Sequence, residues 1–300
     1  GGSQSGVQRI YQKGSLVLEM LRNVMGDEEF QEAVNLYLKR NAFGYAETND
    51  FIRCTYDATG LSYFWFFDQW ILRGGEPDYL VTDSVETDPS GNPGTVFKVR
   101  QVQPVNELTG LFRMPIKFQV HYTDGQYDET VQWVENAETL VSIPNPLKKQ
   151  IDYLLFDPGR AVLKQVTFIQ SAERMMAQAM KAKEMIDRYD ALCAMRSLPL
   201  DKKLSFLQQL YDKENFHLMK SEILRQLDFT SSEISLNIIS KALNDPSAFT
   251  RKSALQSLVK FPESLRPRLE DMLYDSSYVN VEFALDALCA SFPDRVSEYL

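Results

Sequence analysis

Few residues of this chain have types and spacing that could do chemistry. It holds two histidines, His121 and His217, and three cysteines, Cys54, Cys193 and Cys289. The cysteines are odd in number and far apart, so they form neither a disulfide framework nor a Cys-x-x-Cys metal pair, and they read as buried free thiols. Neither histidine has a His-Glu-x-x-His context. His121 falls on an alternating, strand-like run and His217 in a helical tail, and both read as surface or satisfied side chains. No nucleophile–base pair and no glycine-rich phosphate loop is visible. There remains Tyr11, in Ile10-Tyr11-Gln12-Lys13-Gly14, immediately ahead of an apolar segment that runs to Leu21. By residue type alone it is one of 14 tyrosines, packing near a helix start.

The elements that would position Tyr11 are helices. Leu16, Met20 and Val24 recur every fourth residue, with Val17 and Leu21 beside them, which predicts a helix with a wide apolar face. Gly26 fits the residue past its end and Asp27 the cap of a second helix. In that helix Phe30, Val34, Tyr37 and Leu38 form the buried stripe, and Asp27, Glu28 and Glu29 suit the positive N-terminus. Thr48 or Asn49 caps a third helix, with Phe51, Cys54 and Ala58 inward and Gly60 ending it. Ser62 opens the last, Tyr63 to Trp70, which is too aromatic to stand in water and must be covered by neighbours. Arg73-Gly74-Gly75-Glu76-Pro77 then turns the chain.

In this order and spacing, Tyr11-x-Lys13-Gly14 before an apolar helix, Gly26-Asp27-x-x-Phe30, Thr48-x-x-Phe51, Phe67-x-x-Trp70 and Gly75-x-Pro77 resemble the end of the catalytic domain in the aminopeptidase N family (gluzincin) of zinc metallopeptidases. The resemblance implies a zinc held by two histidines of a His-Glu-x-x-His helix and a later glutamate, where it polarises the scissile carbonyl and activates a water. For Tyr11 it implies that the hydroxyl donates to the oxyanion of the tetrahedral intermediate. That task needs a donor protonated near neutrality, which a phenol, ordinarily of pKa about 10, satisfies. Tyr11 is thus the expected catalytic residue. No metal ligand or cofactor-binding residue is expected in this chain, which cannot hold zinc in the family's manner. Relatives usually have Glu where this chain has Gln12, which removes a charge beside the tyrosine. Arg73, in its loop, is a lesser candidate for contact with a substrate carboxylate.

From Tyr79 the period changes to two. Met114, Ile116, Phe118, Val120 and Tyr122 face one way and Lys117, Gln119 and His121 the other. Short runs of the same kind lie at Tyr79–Val85, Val96–Val102, Thr130–Val134, Thr139–Ile143, Tyr153–Phe156 and Ala161–Phe168, separated by turns at Asp88–Gly94, Asp124-Gly125, Pro144-Asn145-Pro146 and Asp157-Pro158-Gly159. That pattern predicts an antiparallel β-sandwich without a site of its own, with Trp133 in its core.

Helical signal resumes at Ser171, and an internal repeat emerges after residue 200. Leu243-Asn244-Asp245 matches Leu273-Tyr274-Asp275, and Ala254, Leu255 and Leu258 match Ala284, Leu285 and Leu288; Leu210-Tyr211-Asp212 begins a looser copy. This is the plan of a HEAT-like α-solenoid. Met175, Met176, Met180 and Met185 read as packing residues.

Three hundred residues predict two or three domains, and 44% hydrophobic with 24% charged residues argues for a globular chain. A net charge of -9 without a basic stripe argues against a nucleic-acid partner. No apolar run approaches the ~20 residues of a transmembrane helix, and none resembles a signal peptide. The expectation is therefore a multidomain α and β protein: 1–77 the helical end of a metallopeptidase catalytic domain, 78–168 a β-sandwich, 169–300 a HEAT-like solenoid. The opening Gly1-Gly2-Ser3-Gln4-Ser5-Gly6 and the uncapped ending Tyr299-Leu300 suggest an excised chain. The function implied is that of the C-terminal part of a zinc aminopeptidase acting on peptides, separated from the N-terminal catalytic portion that carries the metal. The alternative is a non-catalytic scaffold, or a pseudo-enzyme, whose repeats bind a protein or peptide.

Overall fold

The computed structural model describes residues 8–87, 91–227 and 232–299. The glycine-rich opening, residues 88–90 of the first expected turn, and Leu300 lie outside the described residues. The chain forms two compact units, residues 1–171 and 172–300, each with its own hydrophobic core.

In the first unit a π-helical turn, Gln8–Lys13, runs without a cap into α1 (Gly14–Met25). Helix α1 buries Val17, Met20, Leu21 and Met25, a stripe at helical spacing. The stripe is rotated from the expected one, because Leu16 is 46% exposed and Val24 only half-buried. Gly26 ends α1 at φ 101°, a conformation that favours glycine, and its N–H donates to the Arg22 carbonyl at 2.8 Å. Asp27 does not cap α2 (Asp27–Arg40); it is that helix's first residue, and it accepts from Arg22 Nε at 2.8 Å. Within α2, Ala33 is fully buried, Phe30, Val34 and Tyr37 are half-buried and Leu38 is exposed. The start of α3 (Thr48–Thr59) lies one residue earlier than expected: Glu47 and Asp50 form a capping box, in which Asp50 takes the Glu47 N–H at 2.9 Å. Gly60 closes α3 in the left-handed region, as expected.

The aromatic segment is α4 (Phe64–Phe67) continuing as a second π-helical turn, Asp68–Leu72. Phe66, Phe67 and Trp70 are buried, whereas Phe64 is exposed. Phe67 packs against Phe51 of α3, and part of the segment's cover comes from the β region. The Trp70 ring lies 5.0 Å from that of Phe112, and Gln69 exchanges two hydrogen bonds of 3.0 Å with the backbone of Arg113. Helices and strands therefore share one core, which runs from Val17 to Val162.

Seven strands follow: β1 (Asp78–Thr87), β2 (Pro93–Gln101), β3 (Met114–Tyr122), β4 (Tyr127–Val134), β5 (Glu138–Pro144), β6 (Ile151–Phe156) and β7 (Gln165–Phe168). They form a four-stranded sheet, β5-β2-β1-β7, and a three-stranded sheet, β4-β3-β6. All pairings are antiparallel except β1 with β7, which is parallel. On β3 the residues Met114, Ile116, Phe118, Val120 and Tyr122 are buried, as their alternation required. Strand β7 is shorter than its apolar run. Asp157, Gly159 and Arg160 take positive φ, and the Asp157 carboxylate accepts the Val162 N–H at 3.0 Å and pairs with Lys164, holding 157–164 as a turn.

The second unit is helical: α5 (Ala172–Lys181), α6 (Met185–Ala194), α7 (Leu200–Lys213), α8 (His217–Gln226), α9 (Glu233–Leu243), α10 (Ala248–Leu255), α11 (Arg266–Asp271), α12 (Tyr278–Ser291) and α13 (Val296–Tyr299). The sequence repeat has a physical meaning here. Asp245 accepts the Ser247 N–H at 2.9 Å and Lys220 Nζ at 2.6 Å. At the matching position Asp275 accepts the Ser277 N–H at 2.7 Å and Arg251 Nε at 2.5 Å. Each aspartate thus ties the start of one helix to a cation on an earlier one. Met175 is buried, and Met176, Met180 and Met185 pack half-buried against this unit's core.

Candidate active site

Tyr11 sits in the π-helical turn that feeds α1. Such a turn carries an extra residue per turn and re-aims the side chains on it, and π-turns recur at functional sites. The buried stripe of α1 anchors the turn, while Tyr11 itself is 73% exposed. Its hydroxyl makes no hydrogen bond among the described residues. Gln12 is also exposed, and its carbonyl accepts the Ser15 hydroxyl at 3.0 Å, a backbone contact that leaves the Gln12 side chain outward. The geometry is that of a free phenol on a fixed support, able to donate one hydrogen bond to whatever faces it.

The other residues singled out by sequence are committed elsewhere. Arg73 pairs within its own turn, Nε to Asp68 Oδ2 at 2.7 Å. The His121 ring is stacked between Tyr127 and Tyr153, at 5.0 and 4.3 Å, with Nε2 2.9 Å from Gln119 Oε1. Burial pushes the His121 pKa down, against a smaller upward pull from Asp152. His217 lies against Phe216 and Phe249. Cys54 is buried and Cys193 and Cys289 half-buried, all as free thiols. Among the described residues no group of three or more His, Cys, Asp or Glu side chains could hold a metal ion. The donors of the described residues form no set that fits the zinc the resemblance implies.

Trp133 departs from expectation. It is 38% exposed rather than in the core, packed edge-on to Trp65 at 5.7 Å, with the Arg113 guanidinium 4.6 Å from its ring and 5.1 Å from that of Trp65. Sequence reasoning missed this cluster because its members come from α4, the loop before β3, and β4. The tryptophan's outward register on β4 was the available signal.

Comparison with known proteins places the Tyr11 segment. Residues 7–70 match the peptidase family M1 domain. Aminopeptidase N of Escherichia coli (strain K12) is 23% identical over 117 residues, which are 39% of this chain and 13% of that protein. Aminopeptidase N of Haemophilus influenzae is 26% identical over 146 residues, 47% of this chain and 16% of its own length. Glutamyl aminopeptidase of Mus musculus is 26% identical over 140 residues, 46% of this chain and 13% of that protein. Among solved structures, Legionella pneumophila aminopeptidase A in complex with aspartic acid superposes with a TM-score of 0.69 at 14% identity, over 97% of this chain and 40% of that one. At that identity the superposition establishes a shared mixed α/β fold. The matched regions are less than half the length of each of these relatives.

Proposed function

We propose, because this chain is a partial relative of the M1 aminopeptidases, that it forms the C-terminal portion of a zinc-dependent aminopeptidase that hydrolyses N-terminal peptide bonds. In this reading residues 1–77 end the catalytic domain, 78–168 form a β-sandwich, and 169–300 form a HEAT-like solenoid. The two sheets, whose Phe97 and Phe118 rings meet at 5.2 Å, and the recurring aspartate locks support those assignments. Zinc and its ligands belong to polypeptide outside these 300 residues, because the chain has two histidines and no His-Glu-x-x-His motif. Alone, the chain is inert toward peptides.

One observation carries this reading: within the stretch that matches the M1 domain, Tyr11 presents on an anchored turn an exposed hydroxyl that makes no hydrogen bond among the described residues. A phenol held there stabilises negative charge developing on a substrate carbonyl oxygen, an interaction stronger in the transition state than in the ground state. The test joins this chain to its metal-bearing portion and follows cleavage of an aminoacyl chromogenic amide. Activity should be chelator-sensitive, and Tyr11→Phe should lower kcat about 10²–10³-fold with little change in KM. Normal turnover in Tyr11→Phe removes the oxyanion role. Zinc-dependent hydrolysis by the 300 residues alone refutes the external metal site.

The alternative, a non-catalytic scaffold or pseudo-enzyme whose repeats bind a protein or peptide, has one observation in its favour. Leu218, Phe249 and Val279, at equivalent positions of successive repeats, are 48%, 66% and 45% exposed, a row of apolar side chains along one edge of the helical unit. Hydrolysis by the joined protein decides against it.

A further inference from the structure

The helical unit contains a cavity of about 680 Å³, bounded by the start of α7 and the ends of α8 and α10. That volume suits a small organic molecule. Leu198, Pro199 and Leu200 give the cavity an accessible apolar side, and Arg196, Arg225 and Gln256 also line it. Counting Lys203, three of its lining residues are cationic, and none among the described residues is acidic.

The two arginines differ in what holds them. Arg196 donates from Nε and Nη2 to the carboxylate of Glu222 at 2.7 and 2.5 Å, and Glu222 is fully buried. Glu222 also accepts from Gln226 Nε2 at 2.9 Å. Gln226 Oε1 in turn takes Lys203 Nζ at 2.9 Å, and Lys203 completes its donors on the carbonyls of Met195 and Arg196. This network accounts for the buried lysine and fixes the Arg196 fork while using two of its five N–H donors. Arg225 is exposed and makes no ion pair or hydrogen bond among the described residues, and the Gln256 side chain makes none either. The cavity thus presents beside apolar surface one preorganised guanidinium and one with no partner among the described residues.

A guanidinium fork matches a carboxylate bidentately, and preorganisation lowers the entropy lost on binding. The apolar side formed by Leu198, Pro199 and Leu200 favours an anion that carries an apolar body over a bare ion. We propose that this cavity binds a small amphipathic organic acid, with its carboxylate on Arg225 and the unused edge of Arg196 and its apolar part against Leu198, Pro199 and Leu200. The site is independent of the role assigned to Tyr11, and it is tested on the 300-residue chain.

Isothermal titration with three probes supplies the test: N-acetyl-leucine, its neutral amide, and inorganic phosphate. The acid should bind one per chain, with the amide and phosphate at least about tenfold weaker. Arg225→Gln should weaken the acid at least about tenfold without shifting Tm, since Arg225 has no partner among the described residues, and Arg225→Lys should restore part of the affinity. Absence of acid binding, equal binding of the amide, or unchanged affinity in Arg225→Gln overturns the site. Phosphate binding as tight as the acid overturns the assignment to an acid with an apolar body.

Discussion

Replacing Asp275 with asparagine should destabilise the 172–300 unit by about 3 kcal/mol. The Asp275 carboxylate accepts Arg251 Nε at 2.5 Å and Nη2 at 2.8 Å, and also the Ser277 N–H at 2.7 Å and Asn280 Nδ2 at 3.3 Å. The two side chains are 3% and 13% exposed, so solvent screens the pair weakly. Removing one partner of such a pair costs about 3–5 kcal/mol, because the other is left buried and unpaired. Asparagine keeps an oxygen for the Ser277 N–H, and Arg251 keeps the carbonyls of Asp245 and Pro246 at 2.9 and 3.1 Å, which places the cost at the lower end. For a unit of this size that is roughly 10 °C in Tm, measurable by scanning calorimetry. The double variant with Arg251→Met should cost less than the sum of the two single changes. Asp212→Asn is the control. Its partner Lys241 sits 2.6 Å away, but the two side chains are 48% and 44% exposed, and the change should cost less than about 1 kcal/mol. If Asp275→Asn costs no more than that control, the aspartate locks are surface pairs and the account of the repeat is wrong.

Three further outcomes follow from the same geometry. The hydrogen bond from Arg251 holds the Asp275 carboxyl below its usual range; at Asp245 burial pushes upward, but bonds from Lys220 and the Ser247 N–H outweigh it and the net direction is also down. Folded-state values below the unfolded ones mean stabilisation that is full above about pH 4 and lost as pH falls further, so Tm against pH should drop there, and less steeply in Asp275→Asn. Phe66→Ala should cost about 3–5 kcal/mol and melt helices and strands of the first unit in one transition, because Phe66 lies in their shared core; two separated transitions would contradict that core. Arg113→Ala should shift tryptophan emission and cost about 1 kcal/mol, since the guanidinium lies over both Trp65 and Trp133; unchanged emission would show that the contact does not persist in solution.

The sequence by itself determined the class and order of the elements. Period-two alternation on Met114–Tyr122 and the helical period of Val17, Met20 and Leu21 are local consequences of backbone geometry, so they are legible without the fold. Gly26 and Gly60 end their helices as read, because positive φ is a property of one residue. The motif series from Tyr11 to Pro77 is likewise a matter of residue types and spacing, and the family it resembles is the one that residues 7–70 match. Local signals could not choose between neighbouring faces of α1, and so placed Leu16 inside; which face is buried depends on what packs against it. They missed the Glu47–Asp50 box, where glutamate serves as the cap, and the parallel pairing of β7 with β1, which joins residues far apart in sequence. Trp133 reads as core by composition, whereas its register on β4 turns it outward, beside Trp65 and Arg113. The cavity of the helical unit shows the same limit: Arg196 and Arg225 are ordinary charged residues in sequence. Tertiary packing alone pairs one with Glu222, leaves the other without a partner among the described residues, and sets both beside Leu198, Pro199 and Leu200.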